Sequence, residues 1–199
     1  MHTEILLATN NQDKLLELSA LLSFLPVTLH NLAEFPLLPA TIEDMDTISG
    51  NAMKKALESA EHSGLLCLAD DTGLFIEALD NAPGVYTARF AGEICSYSDN
   101  RQKALKLMEG ITNRKATFKT AVALAAPDGI IAVVEGKVVG DIALKELGDS
   151  GFGYDSIFAV NGVTYAQMDW ETKNSCSHRA EAIKAILPIL QKITTQIDH

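Results

Sequence analysis

A short polar turn near the N terminus carries residues suited to binding an anion. The short strand-like run Glu4 to Ala8 ends at Thr9, Asn10 and Asn11, and leucines then recur at helical spacing. A helix that follows a strand offers free backbone N–H groups and the positive end of its dipole, and Lys14 adds a cation one turn in. The segment predicts a phosphate-binding turn, although the same residues are typical of an ordinary helix cap. It is not a P-loop, because the required glycines and the Gly-Lys pair are absent.

Two adjacent aspartates suggest a second kind of site. Leu65 to Ala69 read as a buried strand that ends at Asp70 and Asp71, before a turn at Thr72-Gly73. Neighbouring carboxylates repel one another, and a hard divalent cation with oxygen ligands relieves that repulsion. An Asx-type turn that caps the strand is the alternative. The acidic stretch Glu43 to Asp46 either adds a metal ligand or forms a solvated loop.

Two later segments carry groups that suit a nucleotide. Gly148 to Asp155 contains three glycines, which let backbone approach a ligand closely, and Phe152 and Tyr154 offer stacking faces. His178 and Arg179 stand at the start of the last predicted helix, where they can donate to a purine carbonyl or a phosphate. An ordinary helix cap with surface charges is the alternative for this second segment. Combined with the first two sites, these groups are the parts of a nucleoside triphosphate hydrolase that uses magnesium.

The elements that position these residues follow from periodicity and turn signals. A strand-turn-helix unit opens the chain, and further elements are expected at Val27–His30 (strand), from Ser49 or Asn51 to about His62 (helix), Ser98–Met108 (helix), Ala116–Ala126 and Ile130–Val139 (hairpin), and Ser177–Ile193 (helix). Strands that alternate with helices and then form a hairpin predict an α/β fold with a mixed sheet flanked by helices. Ligands on such sheets usually bind beyond the strand ends.

Composition limits the function classes. The 199 residues carry a formal net charge of −10, which disfavours partners such as nucleic acid or an anionic membrane. The three cysteines are far apart, so neither a disulfide framework nor a zinc site is indicated. No segment reads as a signal peptide or a membrane span, and a cytoplasmic protein is expected.

Six motifs in order resemble the inosine triphosphate pyrophosphatase family, also called Ham1-like or RdgB-like dITP/XTP pyrophosphatases. They are ATNNQDKLLEL, GNAMKKA, ADDTGL, APGVYTARFAG, GFGYDSIF and SHRAEA, between Ala8 and Ala182. The resemblance implies one domain over residues 1–199, with an elongated mixed sheet and two lobes around a central cleft. It also implies a homodimer that uses one Mg²⁺ per subunit to hydrolyse ITP, dITP and XTP to the monophosphate and pyrophosphate, and so cleanses the nucleotide pool.

The resemblance assigns roles to individual residues. Asp71 matches the family's proton acceptor, and Glu43 and Asp71 match its metal-binding carboxylates. Lys55 and Asp70 complete the expected catalytic group. The expected substrate contacts are Thr9, Asn10, Asn11, Gln12, Asp13, Lys14, Thr72, Phe152, Gly153, Tyr154, Asp155, Lys173, His178 and Arg179.

Four positions depart from the family pattern. Asn10 replaces a glycine, and Asn accepts left-handed backbone better than most residues. Gly50 replaces a glutamate and removes a carboxylate. Thr72 replaces a serine but keeps its hydroxyl. Ser156 replaces a proline after GFGYD, which should affect the stiffness of the loop more than its chemistry.

The implied mechanism is a single attack by water between the α- and β-phosphates. Three lysines are expected to neutralise charge in the transition state: Lys14, Lys55 and Lys173. Backbone amides near Phe152 to Asp155, with His178 and Arg179, are expected to donate to the 6-keto oxygen of the base. Adenine, which has an amino group there, leaves those donors unpaired.

Three alternatives stay open. A Maf-type pyrophosphatase for modified or pyrimidine nucleotides usually opens with a Ser/Arg-rich turn, which this chain lacks. In a non-catalytic nucleotide sensor, the glycine that replaces the family glutamate at position 50 would account for the lost activity. The carboxylates and lysines of the site are retained, however. A nucleic-acid-binding α/β protein is disfavoured by the net charge.

Overall fold

A computed structural model describes residues 3–196 and shows a mixed α/β architecture. Its strands are β1 (Thr3–Leu7), β2 (Val27–Asn31), β3 (Leu66–Ile76), β4 (Pro83–Gly84), β5 (Lys115–Ala126), β6 (Gly129–Ile142), β7 (Phe158–Val160) and β8 (Val163–Thr164). Its α-helices are α1 (Gln12–Leu22), α2 (Ile48–Ser63), α3 (Tyr97–Leu107), α4 (Trp170–Cys176) and α5 (His178–Gln196). Short 3₁₀ turns connect several of these elements.

The strands form one mixed sheet in the order β2-β1-β3-β5-β6-β7-β8, and β4 pairs with β3. β1 runs parallel to both β2 and β3, whereas β4 is antiparallel to β3 and β7 is antiparallel to β6 and β8. This sheet confirms the predicted fold class. The predicted hairpin is confirmed as well, because β5 and β6 are neighbours joined by Pro127 and Asp128.

The described chain divides into two compact units. The first contains residues 3–71, 120–136 and 179–196, and the second contains residues 72–119 and 137–178. Each unit has a core of its own. The prediction of a single domain over residues 1–199 stays a prediction.

The core of the first unit is made by leucines and isoleucines from helices and strands. Leu18 of α1 and Ile186 of α5 are fully buried with Leu7 of β1 and Leu68 of β3. The apolar face predicted for the last helix is therefore a packing face, and α5 continues through Pro188.

The core of the second unit is aromatic. The ring of Phe118 packs edge-on against Phe158 with 4.9 Å between centroids, and Tyr154 and Tyr165 belong to the same cluster. Such aromatic pairs contribute stabilisation beyond the area they bury. This core supports the glycine-rich segment that precedes β7.

β3 corrects the expectation that the strand ends at the two aspartates. Asp70, Asp71, Thr72 and Gly73 all lie inside β3, which runs on to pair with β4. Side chains of successive strand residues point to opposite faces, so the two carboxylates need not share one environment. Gly73 is not a turn residue; a Cβ there would lie 2.8 Å from the Gly84 carbonyl oxygen, so the glycine permits the close approach of β4.

Helix ends show smaller differences. α2 begins at Ile48, and its cap is the side chain of Thr47, which accepts from the Gly50 N–H at 3.0 Å, rather than Ser49 or Asn51. The left-handed Gly64 ends the helix as expected.

The helix α4 is not among the elements that the sequence predicts. Within residues 3–196, no helix combines the length and apolar character needed to cross a bilayer.

Candidate active site

The turn that begins α1 is capped by its own side chains. The Asn11 Oδ1 accepts from the N–H groups of Asp13 (3.0 Å) and Lys14 (3.2 Å), and the Asn11 N–H donates to the Thr9 hydroxyl. These contacts satisfy two of the donors that every helix start leaves open. The capping interpretation is therefore correct for those two amides, and an anion would have to compete with Asn11 for them.

Lys14, Asp70 and Arg179 form a buried charge cluster in the first unit. The Lys14 Nζ lies 3.1 Å from the Asp70 Oδ2, which also accepts from the Arg179 Nε at 3.2 Å and Nη2 at 3.0 Å. The third guanidinium nitrogen, Nη1, donates to Glu17 of α1. Glu17, Asp70 and Arg179 are each at most 2% exposed. Charges this deeply buried are stable only when paired, so the cluster is a built part of the fold.

The pKa of Asp70 lies well below its ordinary range. Burial alone would raise it, but Lys14, Arg179 and Lys55 together outweigh burial. Burial lowers the pKa of Lys14, although Asp70 opposes that shift. Asp70 therefore stays ionised and holds two cations, one from α1 and one from α5.

Lys55 links α2 to the acidic segment before it. Its Nζ donates to the Glu43 Oε1 and to the Asp70 backbone carbonyl, both at 2.6 Å. The pKa of Lys55 is raised, since the charges of Asp70, Glu43 and Asp71 outweigh the effect of burial. Lys55 thus stays charged close to three carboxylates.

Asp71 occupies a different environment from Asp70. The Asn51 Nδ2 donates to its Oδ2 at 3.0 Å, while the Asn51 Oδ1 accepts from the Met45 N–H at 3.0 Å. Burial raises the pKa of Asp71, Lys55 and Lys14 oppose the shift, and the charge of Glu43 adds to it. Adjacent carboxylates with oppositely shifted pKa values are typical of acid–base sites, where one group stays charged and the other accepts a proton.

Glu43 and Asp71 fit a divalent cation. Each carboxylate offers hard oxygen ligands, and the charge of Glu43 raises the pKa of Asp71, which places the two groups within electrostatic reach. Among residues 3–196, no cluster of three or more His, Cys, Asp or Glu side chains could enclose a metal ion. An ion such as Mg²⁺ is commonly held by one or two carboxylates, with waters and substrate phosphates completing the shell. Two carboxylates therefore suffice for a metal that arrives with a phosphate ligand.

Gly50 lies next to this acidic segment. A Cβ at position 50 would meet the Cβ of Met45 at 2.8 Å, so a larger residue needs the segment to shift. The glycine that replaces the family glutamate therefore permits the close approach of Met45 to α2.

A second cluster lies in the second unit, at the glycine-rich segment. The Asp155 Oδ2 accepts from the Phe152 N–H at 2.8 Å and from the Lys173 Nζ at 2.5 Å, and that Nζ lies 4.7 Å from the centre of the Phe152 ring. Gly151 is left-handed, and a Cβ there would lie 2.1 Å from the Asp155 Oδ2. Glycine is needed at 151 for both reasons.

Three other predicted substrate contacts lie in the second unit. The His178 ring stacks on Phe118 at 4.3 Å with 8° between planes. Tyr154 is buried, and its hydroxyl donates to the Thr87 carbonyl at 3.0 Å; burial raises the pKa of that hydroxyl. Thr72 lies inside β3. Phe152 is more exposed than Tyr154, so it is the better candidate for stacking on a ligand.

The predicted residues fall into two groups. The first unit brings together the residues expected for phosphate, metal and proton transfer: Thr9, Asn10, Asn11, Gln12, Asp13, Lys14, Glu43, Lys55, Asp70 and Asp71. It also holds Arg179, whose Nε, Nη1 and Nη2 all contact buried carboxylates, so its expected contact with the base stays a prediction. The second unit holds the remaining expected contacts: Thr72, Phe152, Gly153, Tyr154, Asp155, Lys173 and His178.

Sequence reasoning missed Glu17 and Asn51. Glu17 lies three residues after Lys14, on the same face of α1, and that spacing is the signal that could have found it. For Asn51, the sequence indicates only a helix cap. No spacing in the sequence connects it with Asp71, because their contact depends on how α2 packs on β3.

Fold and site together define an α/β protein with a buried cluster of lysines and carboxylates at the start of its first helix. The chain belongs to the Ham1 family, whose model matches residues 5–189. It is 44% identical over 194 residues to a dITP/XTP pyrophosphatase of Desulforamulus reducens, with 96% of each chain covered. It is 42% identical to one of Geobacter sulfurreducens, covering 91% of this chain and 93% of that protein. A solved Ham1 protein from Coxiella burnetii superposes with a TM-score of 0.87 at 36% identity, covering 96% of this chain and 99% of the other. These findings confirm the resemblance seen in the six motifs.

Proposed function

We propose that this protein is a Mg²⁺-dependent pyrophosphatase that hydrolyses ITP, dITP and XTP to the monophosphate and pyrophosphate. The observation that carries the proposal is the pair of aspartates in β3, one holding cations and one with a raised pKa, beside two lysines. Hydrolysis of a phosphoric anhydride needs this combination of positive charge and a proton acceptor. The relatives named above supply the substrate class.

Lys14 and Lys55 stabilise the triphosphate. Both are held by buried or half-buried carboxylates, so both ammonium groups are fixed before substrate arrives. Preorganised charge of this kind stabilises the transition state without reorganisation during the reaction. Asp70 acts indirectly, by holding Lys14 in place.

Asp71 orients the attacking water and accepts its proton. Asn51 holds one carboxylate oxygen and so orients the group, and in the metal-free protein burial raises the pKa of Asp71. Attack on the α-phosphorus with departure of pyrophosphate completes the reaction in one step, without a covalent enzyme intermediate.

Glu43 and Asp71 are the residues that would hold Mg²⁺. When bound, the ion neutralises charge on the phosphate oxygens and helps to lower the pKa of water. The proposal leaves Asp70 out of the metal shell, because its Oδ2 is bound by Lys14 and Arg179.

Recognition of the base is assigned to the second unit. Phe152 is the proposed stacking surface, and Lys173 and Asp155 hold the segment that carries it. Backbone amides of this segment, with His178, donate to the 6-keto oxygen of hypoxanthine or xanthine. Adenine leaves such donors unpaired, at about 1–3 kcal/mol each. We further propose a cytoplasmic homodimer, as the family resemblance implies.

The test is a product analysis with pure protein and Mg²⁺. ITP, dITP and XTP should each release pyrophosphate, whereas ATP, GTP and dTTP should react much more slowly. If ATP is turned over as fast as ITP, dITP and XTP, the proposed selectivity for the base is wrong. Activity confined to dTTP or modified nucleotides would favour a Maf-type enzyme, and binding without turnover would favour a sensor.

A further inference from the structure

The segment from Gly148 to Ser156 has little regular structure to hold it. Gly148, Gly151 and Gly153 all have positive φ, at 82°, 76° and 60°. Glycines lose more conformational freedom on folding than other residues, so a segment with three of them needs external contacts to keep one shape. The segment, apart from Tyr154, lines a cavity of about 240 Å³ within the second unit.

Part of that support comes from α3, whose Arg101 begins a series of hydrogen bonds to residues in and near the segment. The Arg101 Nη1 donates to the Gly153 carbonyl at 2.9 Å, and its Nε donates to the Glu146 Oε2 at 2.7 Å. The same Oε2 accepts from the Ser156 hydroxyl at 2.9 Å. Glu146 lies two residues before the segment, Gly153 lies inside it and Ser156 is its last residue. Arg101 contacts the first two directly and is linked to Ser156 through Glu146. We call these three residues, Arg101, Glu146 and Ser156, the polar brace.

The contact with the Gly153 carbonyl fixes a whole peptide unit. A trans peptide is planar, so a carbonyl that points at Arg101 sends the following N–H, that of Tyr154, in the opposite direction. Among residues 3–196, no group accepts a hydrogen bond from this N–H. Tyr154 as a whole is only 3% exposed. Backbone donors in buried residues are rarely left unpaired, which makes the Tyr154 N–H a candidate donor to a ligand.

We propose that Arg101, held by Glu146 and Ser156, is a positioning residue that orients the Gly153–Tyr154 peptide to donate its N–H to the base of the substrate. This inference rests on the proposed function, because it assumes that the segment binds the base. Ser156 stands where the family motif has proline. The hydroxyl contact with Glu146 supplies, through hydrogen bonds, the stiffness that a proline ring supplies covalently.

Arg101→Lys is the sharpest variant. Lysine keeps the charge but lacks the fork that reaches Glu146 and the Gly153 carbonyl at once. Glu146→Gln keeps the size and removes the charge that holds Arg101. Lys106→Gln, an exposed position on the same helix, is the matched control.

The measurements are kcat and KM for ITP and ATP, and hydrogen exchange of the 148–156 backbone. In Arg101→Lys and Glu146→Gln the kcat/KM ratio of ITP over ATP should fall about fivefold, through KM for ITP, because a charge-assisted contact that is partly exposed is lost. Exchange in the segment should quicken, whereas Lys106→Gln should match the wild type. A merely structural role would lower activity on both substrates equally and leave the ratio unchanged.

The failure of this inference differs from the failure of the proposed function. If the wild type hydrolyses ITP selectively and the variants keep its kcat/KM ratio of ITP over ATP, the positioning role of the polar brace is wrong and the proposed function stands. A wild type that neither hydrolyses ITP nor binds its α,β-methylene analogue overturns the proposed function, and base positioning with it. If Arg101→Lys folds poorly, as thermal unfolding would show, Glu146→Gln and Ser156→Ala decide between these outcomes.

Discussion

Asp71 and Asp70 are adjacent in the sequence, yet only Asp71 has the properties of a proton acceptor. Its pKa is raised by burial, and Asn51 fixes the carboxylate in place. Asp71→Asn should therefore lower kcat for ITP by roughly 10²- to 10⁴-fold, because the proton acceptor is lost from the transition state. KM for ITP should rise much less, because only one of the two proposed carboxylate ligands of Mg²⁺ is removed. Steady-state kinetics measure this. Asp46→Asn, an exposed carboxylate in the acidic segment, is the control, and near-normal turnover by Asp71→Asn would remove it as the base.

Asp70 should matter to stability as well as to activity. Replacing it by asparagine leaves the buried Arg179 and the partly buried Lys14 with one fewer compensating charge. Breaking a buried ion pair by removing one partner costs about 3–5 kcal/mol, so the free energy of unfolding should fall by about that amount. Urea denaturation of Asp70→Asn against Asp128→Asn, an exposed carboxylate, measures the difference. Equal midpoints for the two variants would show that the cluster contributes no stability.

Among the elements, α1 depends on its N-cap. Asn11→Ala removes the acceptor of two backbone N–H groups and should cost about 1 kcal/mol of unfolding free energy. The neighbouring Asn10→Ala, at an exposed position, should cost much less. Thermal or urea unfolding of the two variants compares them. An equal loss in both would mean that the Asn11 side chain does not cap the helix in solution.

The edge strand β2 carries a pH-sensitive contact. The pKa of His30 is raised by its hydrogen bond to Glu34, which outweighs burial, and Glu4 adds to the effect. Because the folded pKa is above the unfolded one, near 6.5, this stabilisation is complete below pH 6.5 and is lost as the pH rises through the folded pKa. Glu34→Gln keeps the oxygen that caps Asn31 but loses the charge. Urea unfolding should therefore show a larger deficit for Glu34→Gln at pH 5.5 than at pH 8.5, and a constant deficit would contradict the assignment.

At this scale, the sequence predicts those elements whose structure is determined by neighbouring residues. α1, α5 and the β5–β6 hairpin were predicted because helical spacing and a Pro-Asp-Gly turn are local signals. The continuation of β3 through Asp70 and Asp71 was not, because the strand runs on to pair with β4. Its two carboxylates contact Lys14, Asn51 and Arg179, which are distant in the sequence. The same holds for the site: the motifs identified its members, but the capping by Asn11 and the pairing of Arg179 with Glu17 are properties of the packing.

For the molecule as a whole, the net charge of −10 selects against large polyanions. The cluster in the first unit follows the same trend. Three cations stand against four carboxylates there, namely Lys14, Lys55 and Arg179 against Glu17, Glu43, Asp70 and Asp71, so one negative charge remains when all are ionised. A triphosphate entering alone would meet no net positive charge. A divalent cation would reverse that sign, so tight binding of a triphosphate should require the metal.

The consequence is measurable without turnover. The α,β-methylene analogue of ITP, at about 100 times its Kd with Mg²⁺, should stabilise the protein by about 2.7 kcal/mol and raise Tm by roughly 5–10 °C. The analogue with EDTA, or Mg²⁺ alone, should give a much smaller shift, and NaCl of matched ionic strength controls for screening. Glu43→Gln should weaken the shift with Mg²⁺, because one of its two proposed carboxylate ligands is lost. Equal stabilisation with and without Mg²⁺ would mean that the lysines alone offset the charge of the triphosphate, and that Glu43 and Asp71 do not form a metal site.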